Sequence, residues 1–122
     1  MNIKDWIKKY EKEAEPFSLA DGFKIHFEPD KGFFCWCVKD GIFEVDHTCT
    51  NDIRYFRDMT YKMTRELGCH TLQVMTMRNP AAYIRTNKLH LNLKASGVRP
   101  NGKWYWAFEW YPERSSHEHK NT

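Results

Sequence analysis

The chain has 122 residues, 41% of them hydrophobic and 16% aromatic, which is enough for one ordinary core and too little for a second independent domain. Charged residues make up 29% and are well mixed, with a net charge of +3, so extended disorder is excluded away from the ends. No window approaches the roughly 20 apolar residues that span a bilayer. The start, Met1-Asn2-Ile3-Lys4-Asp5-Trp6, has no apolar run of signal length, and a cytoplasmic protein is expected. Residues 1–114 are read as a single domain and the polar stretch 115–122 as a tail.

Ile3, Trp6, Ile7 and Tyr10 recur at helical spacing and predict an amphipathic helix over 3–14, ended by Pro16. After the Asp21-Gly22 turn, Phe23, Ile25 and Phe27 alternate with Lys24, His26 and Glu28, as in a half-buried strand. Phe33 to Val38 is apolar on both faces, which predicts a strand covered on both sides. Asp40-Gly41 is a strong hairpin signal, with Ile42 to His47 as the antiparallel partner strand.

Thr50-Asn51-Asp52 supplies cap residues for a helix over about 52–67. Its apolar face is expected from Ile53, Phe56, Met59, Thr60, Met63 and Leu67, with Tyr61 pointing away. Gly68 ends it, and Leu72 to Met77 reads as a strand largely apolar on both sides. A helix of this length cannot sit inside a hairpin turn, so the two strands flanking it should be parallel, in a right-handed βαβ unit. Asn79-Pro80 starts a short helix to about residue 88. Leu89, Leu91 and Leu93 then alternate with polar residues in a strand that should turn around Gly97. Pro100-Asn101-Gly102 supplies another turn before a last aromatic strand, Lys103 to Tyr111. The expected fold class is α/β, a central mixed sheet flanked by helices.

This order resembles the second half of an acyl-CoA N-acetyltransferase of the GNAT superfamily. The likeness is carried by Phe43-Glu44-Val45-Asp46 before the long helix, Leu72-Gln73-Val74-Met75 after it and Asn79-Pro80-Ala81-Ala82 opening the next helix. It covers roughly residues 22–111. In such enzymes a Gln/Arg-x-x-Gly-x-Gly/Ala turn lets backbone amides approach the cofactor pyrophosphate at a helix N-terminus. Here the corresponding run, Thr48-Cys49-Thr50-Asn51-Asp52-Ile53-Arg54, has no glycine. The short GNAT-like proteins of bacteriophages share this loss and end in a similar strand, here Phe108-Glu109-Trp110. A protein of that kind would work in the host cytoplasm.

The resemblance implies transfer of an acetyl group from acetyl-CoA to an amine, on a small molecule or a protein. Glu44, Asp46 and His47 are the candidate bases and Tyr83 the candidate acid, although Tyr83 comes about one turn before the family's usual position. His47, Thr48, Cys49, Asn51, Ile53, Arg54, Arg57 and Asn79 are the candidate cofactor-binding residues, with the arginines offsetting the charge of Asp52. Backbone donors of 46–50 would polarise the thioester carbonyl.

Other chemistries are weaker in the residues. Cys49 beside His47 lacks an identifiable third group for a nucleophilic triad. The cysteines at 35, 37, 49 and 69 lie in strand-like segments without zinc-site spacing, and no metal is expected. Leu67 to Phe108 contains no acidic residue but holds Arg78, Arg85, Lys88, Lys94, Arg99 and Lys103. Because the neighbouring aromatics have a core to fill, nucleic acid is not the favoured partner. The alternative to an enzyme is a noncatalytic GNAT-like protein, from a phage or prophage, acting through protein association or a homodimer. Its contact surface would draw on Trp6, Trp104, Trp106 and Trp110.

Overall fold

The computed structural model describes residues 1–76, 89–99 and 102–112, the side chains of Leu93 and Lys94 excepted. Within these, the order is α1 (Ile3–Glu13), β1 (Lys24–Glu28), β2 (Gly32–Lys39), β3 (Ile42–Thr50), α2 (Ile53–Glu66), β4 (Thr71–Thr76), β5 (His90–Val98) and β6 (Trp104–Trp110). The six strands form one mixed sheet in the order β1-β2-β3-β4-β6-β5. Only β3 and β4 run parallel, as the intervening helix requires. The helix expected over 80–88, with Asn79 and Tyr83, lies outside the described residues, as does the tail.

Asp40 and Gly41 both have positive φ, 54° and 76°, which is the backbone of a two-residue hairpin turn matched to strand twist. Covering β2 on both faces requires alternating residues to enter two cores, and over Phe33–Cys35 they do, whereas Val38, expected in the covered run, is 45% exposed near the hairpin end. Phe34 packs with Phe43, Val45, Phe56, Leu72 and Phe108 beneath α2. Phe33 and Cys35 pack with Trp6, Tyr10 and Cys49 beneath α1.

Several expectations are corrected. Tyr61 faces the core side: its ring stacks on Trp110 at 4.0 Å between centroids, because Phe56, Thr60 and Thr64 form the buried line of α2. Leu67 instead is 52% exposed, since the helix ends before it and Gly68 turns the chain at φ 69°. Ile25 is 38% exposed on the edge strand, while His26, expected on the polar side, stacks on Phe34.

No turn forms around Gly97, which stays in β5; hydrogen bonds from Arg99 N–H to the Lys103 carbonyl and from Gly102 N–H to the Arg99 carbonyl flank the turn expected at Pro100-Asn101-Gly102. A register shift between Asn92 and Gly97 lets β5 continue to Val98, and Gly97 sits under the Tyr105 ring. Of the four tryptophans expected to form a contact surface, Trp6 and Trp110 are core residues, Trp106 packs partly against the α2-side core, and Trp104 is exposed. Trp6 also donates its indole N–H to the Pro29 carbonyl. All four cysteines are free, and no described helix is long and apolar enough to cross a membrane.

Candidate functional site

The site grows out of one irregularity in β3. That strand pairs with β2 as far as Thr50, well past the expected end, because Gly32 opposite it has φ +119° and no side chain. A Cβ on Gly32 would collide with the Cys49 carbonyl oxygen. Between the pairs Trp36–Val45 and Phe34–Thr48 the register shifts, so Cys35 alone faces both Asp46 and His47. This is a β-bulge, and it re-aims the residues after it. In unbroken alternation His47 would lie with Phe43 and Val45, as the sequence suggests. With the bulge it joins Asp46 on the α1 face, against Tyr10 and Phe17.

The second feature is a parting of strands. The parallel pairing of β3 with β4 covers Ile42–Thr71 through Val45–Val74 and stops there, among the described residues. Beyond it, Met75 and Thr76 pair with β6 on the other side. A cleft of about 120 Å³ opens at this point. Its walls include Asp46, His47, Thr48 and Thr50 of β3, Ile53 of α2, Met75 and Thr76 of β4, and Tyr10 and Glu13 of α1. Arg99 and Tyr105 come from the β5–β6 arm.

A charged network closes one side of the cleft. Arg99 Nη2 donates to Asp46 Oδ1 at 2.7 Å and lies 3.1 Å from Glu15 Oε2. Tyr10 Oη shares hydrogen bonds with Glu15 Oε2, at 3.3 Å, and with His47 Nδ1. The His47 ring lies between the two carboxylates, Nδ1 at 3.8 Å from Glu15 and Nε2 at 3.9 Å from Asp46. Burial first, then the Glu15 and Asp46 charges, hold the Tyr10 phenol well above the usual tyrosine range, so it remains protonated. Burial works against the Arg99 charge, but Asp46 and Glu15 more than offset it and raise the guanidinium above its ordinary value. Its face lies over the Tyr105 ring, 5.2 Å from the centroid. Arg99 Nε is buried without a hydrogen-bond partner.

Of the candidate residues, Asp46, His47, Thr48 and Ile53 therefore meet in the cleft. Glu44 lies on the same sheet face but before the bulge, where it accepts a hydrogen bond from the Cys37 thiol at 3.7 Å. Cys49 is buried in the α1-side core. Asn51 donates to the Asp30 carbonyl, Arg54 is exposed beside the α2 cap, and Arg57 pairs with Asp58 at 2.9 Å. Asn79 and Tyr83 lie outside the described residues. Tyr10, Glu15 and Arg99 were not legible as site residues. Arg99 is 53 positions from Asp46, and Glu15 beside Pro16 reads only as the end of a helix.

The α2 N-terminus is filled by its own side chains. Asp52 caps it by accepting from Tyr55 N–H, Thr50 Oγ1 accepts from Asp52 N–H, and Lys31 Nζ lies 3.1 Å from the Asp52 carboxylate. Hydrogen bonds from Lys31 and the Tyr55 amide hold that carboxyl below its ordinary value.

No family model and no curated protein sequence matches the chain. Among solved structures, it is similar to the ribosomal-protein-S18-alanine N-acetyltransferase of Escherichia coli. The TM-score is 0.58 at 12% identity, covering 94% of this chain and 92% of that one. It is also similar to a Bacillus subtilis acetyltransferase in complex with CoA, with a TM-score of 0.52 at 10% identity, covering 88% and 83% of the two chains. At such identities the likeness is one of fold, and the fold of this chain is that of the GNAT acetyltransferases.

Proposed function

We propose that the protein is an N-acyltransferase that moves an acetyl group from acetyl-CoA to an amine. The observation that carries this reading is the cleft formed where β3 bulges at Asp46–His47 and parts from β4 beyond Val45 and Val74. A strand parted from its neighbour presents backbone N–H groups to a ligand without any rearrangement, and such fixed donors suit the oxygen charge that acyl transfer develops.

Acetyl-CoA, when bound, supplies the acyl group as a thioester. The fit is good along the cleft, where Thr48, Thr50, Ile53, Met75 and Thr76 would flank an extended arm. At the α2 N-terminus the Asp52 carboxylate takes the Tyr55 amide, and its charge is offset by Lys31, with Arg54 as a further exposed cation. Asp46 and His47 face the cleft as the two candidate proton acceptors for the attacking amine, and Glu44 is the more remote carboxylate. Tyr83 is carried over from the resemblance as the proton donor. The amine belongs to a small molecule or to a protein, and the expected compartment is the cytoplasm.

Isothermal titration of the whole chain with acetyl-CoA, with hydrogen exchange on the complex, tests this reading. Binding with protection of the 46–54 amides is expected. No binding at millimolar acetyl-CoA would sink it. A second reading, a noncatalytic phage or prophage protein acting through association with a protein or a second copy, is favoured by the self-filled cap at Asp52. It predicts no cofactor binding together with a self-associated or partner-bound protein in sedimentation.

A further inference from the structure

We infer that Arg99 is a positioning residue that makes His47 the proton acceptor of the cleft by engaging both neighbouring carboxylates. This rests on the acyltransferase reading for its catalytic meaning, although the geometry behind it does not. One nitrogen, Nη2, reaches Asp46 at 2.7 Å and Glu15 at 3.1 Å. A carboxylate bound by a guanidinium is a poor base, because taking a proton would break a charge-assisted hydrogen bond. The imidazole between the two carboxylates makes no contact with Arg99 in the hydrogen-bond or ion-pair network described.

The polarity of the chain points the same way. Tyr10 Oη–H donates to Glu15 Oε2, the same carboxylate oxygen that Arg99 holds. The Tyr10 oxygen then accepts from His47 Nδ1–H, which leaves Nε2 bare on a ring that lines the cleft. Among the described residues, the titratable and charged groups around His47 include Tyr10 of α1, Glu15 after it, Asp46 of β3, the buried Cys35 thiol of β2, Arg99 before the last turn and Tyr105 of β6, which lines the same cleft under Arg99. Glu13 lines the same cleft further out. The arginine therefore balances one of two negative charges next to the ring, and its removal favours the imidazolium.

The test is a histidine NMR titration of the full chain, comparing wild type with Arg99→Met and Arg99→Lys, with His47→Gln assigning the signal. Arg99→Met should raise the His47 midpoint by about one pH unit, and Arg99→Lys should restore it most of the way. If Arg99→Met does not fold, Asp46→Asn reads the same balance in reverse and should lower the midpoint. A folded Arg99→Met protein with an unmoved His47 midpoint would overturn the inference, as would an unmoved midpoint in Asp46→Asn. The acid limb of kcat/KM for acetyl transfer should move with the NMR midpoint, and a limb abolished by Asp46→Asn but kept in His47→Gln would also overturn it. Absence of transfer by wild type would remove the acyltransferase reading, while the NMR comparison would still decide what Arg99 does to His47.

Discussion

Asp46 and His47, adjacent in β3, stand together opposite the single residue Cys35 of β2. Sequence neighbours in a regular strand face opposite ways, so only the bulge lets a carboxylate and an imidazole share one wall of the cleft. The device depends on β2 and β3 staying paired beyond it, through Phe33–Cys49 and Gly32–Thr50.

Gly32 is where that pairing is most vulnerable. Its φ of +119° is unfavourable for any L side chain, and a Cβ would meet the backbone of Cys49 and Thr50, which cannot rotate away. Gly32→Ala should cost more than about 1 kcal/mol in urea unfolding and should also perturb the amide signals of 46–50. Wild-type stability in that variant would show that the close approach of β2 and β3 is not required.

Much of this fold is legible from the chain itself. Asp40-Gly41 announces its hairpin, the Phe33 to Val38 run announces a strand that is buried on both faces in its first half, and the helix between β3 and β4 forces a parallel crossover. The bulge leaves no such trace, since one extra residue in a pairing changes neither composition nor turn chemistry. Alternation therefore assigns His47 to the wrong face. The Arg99–Asp46 contact is silent for a different reason: it joins segments 53 positions apart, and nothing local in Val98-Arg99-Pro100 distinguishes a buried guanidinium from a solvated one.

Tyr10 gives a pH prediction on the alkaline side. Its folded-state pKa is raised, by burial and then by Glu15 and Asp46, above the ordinary tyrosine value of about 10 that an unfolded chain would show. The neutral phenol is thus favoured by folding. Its contribution is fully present below about pH 10 and is lost as pH rises through and beyond that value, where the unfolded state releases a proton that the folded state retains. Tyr10→Phe should flatten this part of the stability curve above pH 10. Unfolding curves of equal pH dependence in the two proteins would contradict the assignment.

The cap residue Asp52 provides the sharpest prediction for cofactor binding. An anion at a helix N-terminus is favoured by the unpaired amides and the helix dipole, but Asp52 already places its carboxylate there and holds Tyr55 N–H. A pyrophosphate arriving at the same turn meets that negative charge, which Lys31 offsets from 3.1 Å. Asn caps helices as well as Asp, so Asp52→Asn removes the charge and keeps the hydrogen bond. Asp52→Asn should therefore bind acetyl-CoA about two- to five-fold more tightly than wild type. The preference should weaken at high salt, because an exposed charge is screened. If titration shows affinity unchanged or reduced at low salt in a variant that keeps its helix content, the pyrophosphate does not approach α2 at this turn, and the cofactor residues assigned to 48–54 lose their basis.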